Sequence, residues 1–404
     1  MTLGKTKLAK LTDVSKQKNT GLEAATSSNG AAMNGCPVLE LSESDLTDFA
    51  MGAAFLGAGG GGDPYIGQLM AKHAIREFGH PMIIDADSLP DDATVVMVGM
   101  LGAPTVLTEK AAAGPDIDLA IQRMSERLGR PIDALMPIEI GGVNSTVPIV
   151  ASARSGLPLL NADGMGRAFP EIQMVVMNFE GLSATPFVIV DEHLNSAIVD
   201  TKTAPDAEAF VRTIAVHMGL SCMVTGYPMT GAEAKRATVR NTLSVALDIG
   251  RSIVRGRRTG DPVGQLIGAL CATDIYGYAR EIFDGKLIDL QRDTATGFSV
   301  GQAEFEGLSD PQRRLLVKFQ NEYLIALENG ALRAVVPDLI AIVDRETAEP
   351  IPVEALRYGQ RVKVLAVAAP KIITTPQALA SVSPRCFGLD VDYQPIRSLA
   401  GGAS

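Results

Sequence analysis

The sequence predicts an α/β N-terminal domain with a mostly parallel sheet, followed by an α+β, β-rich C-terminal domain. After residue 38, short apolar runs typical of buried strands alternate with amphipathic segments typical of helices, and this alternation favours parallel strand pairing. From residue 282 onward, apolar and polar residues alternate with the period of a half-exposed strand. A chain of 404 residues exceeds one ordinary core, so two domains are expected.

The predicted boundaries follow shifts in composition. Residues 1–37 are rich in Lys, Ser, Thr, Asn, Gly and Ala without apolar periodicity, and we expect a disordered tail there. The segment KTAPD at 202–206 is typical of a connection between domains. The N-terminal domain is therefore predicted over 38–200 and the C-terminal domain over 201–399.

In the first domain, Ser42 and Asp45 resemble a capping box before a helix that ends in the glycine run 57–62. Pro64 begins a second helix, and His73 lies on its predicted buried face. Apolar periodicity predicts a further helix over 117–128 and another helix after Asn144. Strands are predicted at 81–85, 94–100, 135–140, 157–160, 174–178 and 187–190.

The second domain is predicted to open with two helices and to continue with strands. The helices span 207–218 and 232–255. Alternation between 317 and 327 predicts one half-exposed strand, with Glu322 on its polar side. Further strands are expected at 339–343 and 361–367.

Composition narrows the classes of partner and cofactor. The chain has 36 Lys and Arg against 46 Asp and Glu, a formal charge of -10, which disfavours nucleic acid and anionic membranes. No apolar run reaches the length of a membrane helix and the start lacks the apolar centre of a secretion signal, so we expect a cytoplasmic protein. The scattered 4 Cys and 4 His form no metal-binding pair. No cofactor is predicted, and any divalent metal would have to be held by carboxylates.

The glycine run matches the G-x-G-x-x-G pattern of dinucleotide-binding proteins, with an acidic residue, Asp85, further along the chain. We reject that interpretation because a helix precedes the glycines, whereas the dinucleotide site requires a strand. The run can instead present backbone N–H groups to an anion at the start of the second helix. A tight turn that permits close packing is the alternative. The candidate substrate-binding residues are Gly59, Gly60, Gly61, Gly62 and Asp63.

A second candidate constellation is EIGGVNS at 139–145, where a strand ends. Ligands bind at such strand ends in α/β folds. Glu139 lies between apolar residues, and the desolvation expected there would raise its pKa toward the range useful for acid/base catalysis. Asn144 and Ser145 are candidate substrate-binding residues, with helix capping as the alternative.

A third constellation follows the strand at 157–160 and concentrates charge in one loop. Asp163 and Glu171 are candidate catalytic carboxylates, while Arg167 and Gln173 are candidate substrate-binding residues. The alternative is that Arg167 forms an ion pair with Asp163 or Glu171 that only stabilises the loop.

Six motifs in order resemble the S-methyl thiohydantoin desulfurase family, formerly a hydantoinase-associated domain of unknown function. They are GAGGGGDP at 57–64, GAPTVLTEK at 102–110, EIGGVNS at 139–145, NADGMGRAFPEIQM at 161–174, FDGKLIDLQRDTATGFSVG at 283–301 and PRCFGLDVDYQPI at 384–396. The resemblance implies N- and C-terminal family domains. It also implies hydrolysis, in which water attacks the ring carbon of an S-methyl thiohydantoin and methanethiol leaves.

Within that reaction, Glu139 or Asp163 would activate water and Arg167 would bind a substrate carboxylate or ring carbonyl. Two alternatives remain open: hydrolysis of a cyclic amide, and a non-catalytic ligand-binding subunit of a hydantoinase complex. The expected partners are a small cyclic substrate and a hydantoinase-type protein, and the chain is expected to form a homo-oligomer.

Overall fold

A computed structural model describes residues 38–62, 64–102, 106, 114–295 and 298–399. The predicted tail at 1–37, Asp63 and most of the motif at 102–110 lie outside the described residues. The described residues belong to one compact unit, which is built on two seven-stranded sheets.

Helices pack against both sheets in the described ranges. Their bounds are α1 Asp45–Leu56, α2 Pro64–Phe78, α3 Pro115–Leu128, α4 Val147–Ser155, α5 Val176–Phe179, α6 Ala204–His217, α7 Gly231–Arg236, α8 Thr242–Thr259, α9 Pro262–Cys271, α10 Pro376–Val382 and α11 Ile396–Leu399. Short 3₁₀ turns lie at Ala86–Ser88, Gly142–Ser145, Val353–Ala355, Lys371–Thr374 and Pro384–Phe387.

The strands of the first sheet are β1 Ile83–Ile84, β2 Thr94–Gly102, β3 Ala134–Pro137, β4 Leu159–Leu160, β6 Phe187–Asp191, β7 Ser196–Val199 and β8 Ser221–Thr230. Their order is β1-β4-β3-β2-β8-β6-β7. Four neighbours, β1, β4, β3 and β2, are parallel, and β8, β6 and β7 continue the sheet with antiparallel pairing. The predicted α/β class is confirmed, and β8 joins the sheet from beyond residue 200.

The strands of the second sheet are β10 Ala279–Ala295, β11 Phe298–Gly307, β12 Arg314–Gln320, β13 Glu322–Glu328, β14 Ala331–Val335, β15 Leu339–Asp344 and β16 Arg361–Val367. All of its pairings are antiparallel, in the order β14-β13-β12-β11-β10-β16-β15. The prediction of an α+β, β-rich second part is thereby confirmed. A small ribbon of β5 Ala162–Asp163 and β9 Val239–Arg240 lies apart from both sheets.

One apolar core spans both parts of the chain. It joins residues of α1 and α8 to first-sheet residues such as Val96 and Leu135, and it also contains Leu339 and Leu365 of the second sheet. A separate core lies within the second sheet around Phe283, Phe305 and Phe319. The two sheets therefore share buried surface, which fixes the loops between them.

Four local predictions are wrong. The single helix expected at 232–255 is two helices, α7 and α8, separated by the short strand β9. His73 is exposed and pairs with Glu77, because the buried face of α2 is formed by small residues such as Ala71 and Ala74. Residues 176–179 form the short helix α5 instead of a strand. The single strand expected at 317–327 is two strands, β12 and β13, joined at Asn321 in the left-handed region with φ of 58°.

Candidate functional site

A cleft lies where the parallel strands of the first sheet end. Loops after β2, β3 and β4 form one wall, as expected for α/β folds, and residues from later in the chain form the other. Residues predicted from the sequence that line it are Gly60, Gly61, Gly62, Glu139, Asn144 and Glu171. Residues that the sequence prediction missed are Glu208, Arg212, Asn321, Glu322 and Glu354.

The glycine run between α1 and α2 is a tight turn that contacts three other segments. Gly61 has φ of +83°, which glycine adopts without steric cost, and its carbonyl accepts from Val143 N at 2.7 Å. The amides of Tyr323 and Val353 donate to Ala58 O and Gly59 O at 2.8 and 2.9 Å. The turn thus holds the first sheet against the second, as the close-packing alternative proposed.

The amide of Gly60 donates to Gly57 O at 2.9 Å, so this N–H group is already used inside the turn. Gly60 itself lines the cleft, as do Gly61 and Gly62. Gly59 contacts the ring of Tyr323 instead and is absent from the cleft lining. The helix that precedes the run supports rejection of the dinucleotide interpretation.

Glu139 is buried at the base of the cleft, where only 6% of its surface is exposed. Its Oε1 accepts from Asn144 Nδ2 at 2.6 Å, while Oε2 has no hydrogen-bond partner among the described residues. Desolvation raises the pKa of Glu139 to about 8, against the opposing effects of the Asn144 bond and of the nearby backbone amide of Phe169. This side chain therefore combines a raised proton affinity with a buried oxygen, Oε2, that accepts no well-formed hydrogen bond from the described residues.

Asn144 orients Glu139 and is itself held in place. Its Oδ1 accepts from Met100 N at the end of β2 at 2.6 Å, and its amide nitrogen donates to Glu139. Ser145 is buried, and its hydroxyl donates to Gly142 O at 2.7 Å. Asn144 thus lines the cleft, whereas Ser145 stabilises the turn beneath it.

Asp163 is fully buried and does not line the cleft. Its Oδ2 accepts from the amides of Ile140, Met165 and Gly166 at 2.9, 3.0 and 2.8 Å. Burial raises the pKa of Asp163 to about 7, although these amide bonds favour the ionised form. The geometry indicates a carboxyl group that joins the loops after β3 and β4.

Arg167 is also fully buried, and its hydrogen bonds go to backbone carbonyls rather than to Asp163 or Glu171. Nη1 donates to Pro337 O at 2.8 Å and Asp338 O at 3.0 Å, and Nε donates to Ala168 O at 3.0 Å. Desolvation lowers the pKa of Arg167 to about 10, while nearby carboxyl groups oppose the shift. The guanidinium therefore ties the two parts of the chain together below the cleft.

The rim of the cleft carries a second charged group. Glu171 lines it, accepts a hydrogen bond from Gln173 and has a pKa raised by burial and then by the charge of Glu208. Arg212 pairs with Glu208 and donates to Pro170 O at 3.1 Å. Glu171 thus lies in the cleft lining, and Gln173, which is hydrogen-bonded to it, does not.

Glu322 is the main cleft residue that the sequence prediction placed wrongly. It was expected on an exposed strand face, yet only 2% of its surface is exposed, because the turn at Asn321 begins a new strand there. Asn tolerates the left-handed conformation better than most residues, so Asn321 was the available signal for a turn.

The described ranges contain no group of three or more His, Cys, Asp or Glu side chains arranged to hold a metal ion. Nor does any helix within them combine the length and the apolar content needed to cross a membrane.

Two family models match consecutive parts of the chain. The S-Me-THD-like N-terminal domain matches residues 44–201, and the S-Me-THD-like C-terminal domain matches residues 202–396. The chain belongs to the S-Me-THD-like family. The resemblance to the S-methyl thiohydantoin desulfurase family is thereby confirmed, and Glu139 and Glu322 come from different S-Me-THD-like domains.

A solved crystal structure of a protein from Chromobacterium violaceum is similar to this S-Me-THD-like chain. The two share 25% sequence identity with a TM-score of 0.73, over 89% of this chain and 100% of the other. A comparison with curated proteins finds no match.

Proposed function

We propose that this protein is a hydrolase that releases methanethiol from an S-methyl thiohydantoin. The observation that carries the proposal is Glu139, a buried carboxyl group at the base of the cleft with one oxygen unpartnered. Membership of the S-Me-THD-like family supports the class of substrate.

In this proposal, ionised Glu139 accepts a proton from water as the water oxygen bonds to the ring carbon that bears sulfur. A pKa of about 8 suits this role, because the group is a stronger base than an exposed carboxylate and still ionises near neutral pH. Asn144 holds the carboxyl group through Oε1. Oε2 is buried without a partner among the described residues, and in this proposal it accepts the proton of the water that enters with the substrate. A positioned base of this kind contributes on the order of a hundred- to ten-thousand-fold in rate.

The remaining predicted site residues take supporting roles in the proposal. Gly60, Gly61 and Gly62 form the wall against which the ring lies, and Glu171 contacts the substrate at the rim. The loops beneath the cleft are held by Asp163, Arg167 and Ser145. None of these residues lines the cleft, so they do not contact substrate in this proposal. Gln173 positions Glu171. We further propose that the enzyme acts in the cytoplasm as a homo-oligomer and passes its hydantoin product to a hydantoinase-type protein.

The test is to incubate the purified, metal-analysed protein with S-methyl thiohydantoins and with ordinary hydantoins. Free thiol and ring-opened product are both measured. Methanethiol release with an intact hydantoin ring supports the proposal. A ring-opened carbamoyl acid would instead identify a cyclic amide hydrolase. Tight binding without turnover would identify a ligand-binding subunit of a hydantoinase complex.

A further inference from the structure

Glu322 is a second buried carboxyl group in the cleft, and the second sheet positions it. Its Oε2, like that of Glu139, has no hydrogen-bond partner among the described residues. The backbone fixes its position, because the next residue, Tyr323, donates its amide to Ala58 O at 2.8 Å and its hydroxyl to Ile351 O at 2.8 Å. A buried carboxyl group without a partner at one oxygen is costly, so its presence in a cleft favours a role with ligand.

The glycine turn leaves space for this carboxyl group. A Cβ atom on Gly60 would lie 2.0 Å from Glu322 Oε1 and 2.7 Å from its carboxyl carbon, far inside van der Waals contact. The φ angle of Gly60 is outside the left-handed region that favours glycine. The absence of a side chain at this position is therefore explained by the approach of Glu322.

The charged groups around Glu322 favour its protonated form. Burial raises its pKa well above the usual value, and the charge of Glu139 and then that of Glu354 add to the effect, while Arg167 opposes it. Two neighbouring buried carboxyl groups do not readily ionise together. When Glu139 is ionised, Glu322 consequently retains its proton.

We propose that Glu322 is the general acid of the cleft and acts together with Glu139 as the general base, the two groups coming from different family domains. This inference rests on the proposed function, because it assigns proton transfers in that reaction.

The proton transfers balance over one turnover. Glu139 removes a proton from water as the oxygen bonds to the ring carbon, and Glu322 gives its proton to the adjacent ring nitrogen. The resulting intermediate carries hydroxyl and S-methyl groups on one carbon. As the C–S bond breaks, Glu322 takes the hydroxyl proton and Glu139 gives its proton to the departing methanethiolate. The products are hydantoin and methanethiol, and both carboxyl groups return to their starting states.

The test compares wild-type protein with Glu322→Gln in the thiol-release assay across pH. In the wild type, kcat rises as Glu139 ionises and falls at higher pH as Glu322 loses its proton. We expect Glu322→Gln to lower kcat at least about a hundredfold with little change in KM, and to abolish the fall at high pH. Glu322→Asp, which keeps a carboxyl group, should recover part of the rate.

Glu328→Gln is the matched control, since it makes the same change on the same strand. Glu328 pairs with Arg313 and Arg333 and does not line the cleft, so kcat should stay within about twofold of the wild type. If the wild type releases thiol and the folded Glu322→Gln variant keeps the same pH profile, this inference is overturned. The proposed function would still stand. A wild type that releases no thiol from any S-methyl thiohydantoin would overturn both.

Discussion

The loops that follow β3 and β4 each bury a carboxyl group, and the two groups relate to the cleft in opposite ways. In the first loop, Glu139 lines the cleft, with one oxygen bonded to Asn144 and the other buried without a partner among the described residues. In the second loop, Asp163 Oδ2 accepts from three backbone amides, Oδ1 has no partner among the described residues, and the residue lies outside the cleft lining. Burial raises both pKa values, to about 8 and about 7.

The difference shows that a raised pKa alone does not identify a reactive group. Asp163 is buried because it joins loops, and its proton affinity is a consequence of that burial. Glu139 is buried and also faces ligand space, so its proton affinity is available for chemistry. Each group leaves one oxygen without a hydrogen-bond partner among the described residues, so position in the cleft lining separates the two roles better than the raised pKa does.

The largest expected effect is on catalysis at Glu139. Glu139→Gln keeps the size of the side chain and an oxygen for Asn144, but it removes the base. We expect kcat for thiol release to fall by about a hundred- to ten-thousand-fold, with the melting temperature preserved. If the variant kept the wild-type kcat, Glu139 would not be the catalytic base, and its role would not differ from the structural role of Asp163.

The next effect is on stability at Asp163. Asp163→Ala leaves three buried amides without an acceptor, so the free energy of unfolding should fall by about 3 kcal/mol, measured by chemical denaturation. Asp200→Ala is the control, because Asp200 forms an exposed ion pair with Arg127 and should change stability by less than about 1 kcal/mol. Equal losses of unfolding free energy in the two variants would contradict the structural role of Asp163.

A smaller effect tests the contact between the glycine turn and Glu322. Gly60→Ala forces a methyl group against a buried carboxyl group and should lower the free energy of unfolding by about 1 to 3 kcal/mol. The same change in a Glu322→Ala background should cost much less, because the clashing atoms are gone. If the losses of unfolding free energy were additive in this double-mutant cycle, Gly60 and Glu322 would not be in contact.

The change that is smallest per pH unit is the pH dependence of stability, which is spread over a wide range of pH. The pKa of Glu139 is raised from 4.5 to about 8, so the folded protein holds a proton there that the unfolded chain releases above pH 4.5. Glu139 therefore makes the free energy of unfolding fall as pH rises from about 5 to 8, by about 1.4 kcal/mol per pH unit. Glu139→Gln should make the fall with pH shallower in denaturation series, while Asp163 and Glu322, whose pKa values burial also raises, keep their contributions. If the free energy of unfolding fell more steeply with pH in the variant than in the wild type, the pKa of Glu139 would not be raised in the folded protein.

The sequence predicted the first wall of the cleft better than the second. Glu139 and Asn144 follow the end of a parallel strand, a position where local pattern and fold class point to the same place. Glu322 depends on a turn at Asn321 and on pairing with a glycine turn far away in the chain, and the alternation around it predicted one continuous exposed strand. The burial of Glu322 is decided by contacts between distant segments of the chain. Local periodicity carries no information about those contacts.

The same limit explains the residues of the third constellation. Their shared loop was predicted, yet the direction of each side chain was not. Arg167 was expected to bind substrate or to pair with an acid, and it instead bonds to carbonyls of Pro337 and Asp338 in the other family domain. The predicted boundary at residue 200 stays a prediction.

The most direct test of the central claim is to run the reaction in ¹⁸O-labelled water and follow both products. If water activated by Glu139 attacks the ring carbon, each methanethiol released will be matched by one hydantoin with ¹⁸O in its new carbonyl, and Glu139→Gln will lose both signals together. Label found instead in methanol or in a ring-opened carbamoyl acid would contradict the account.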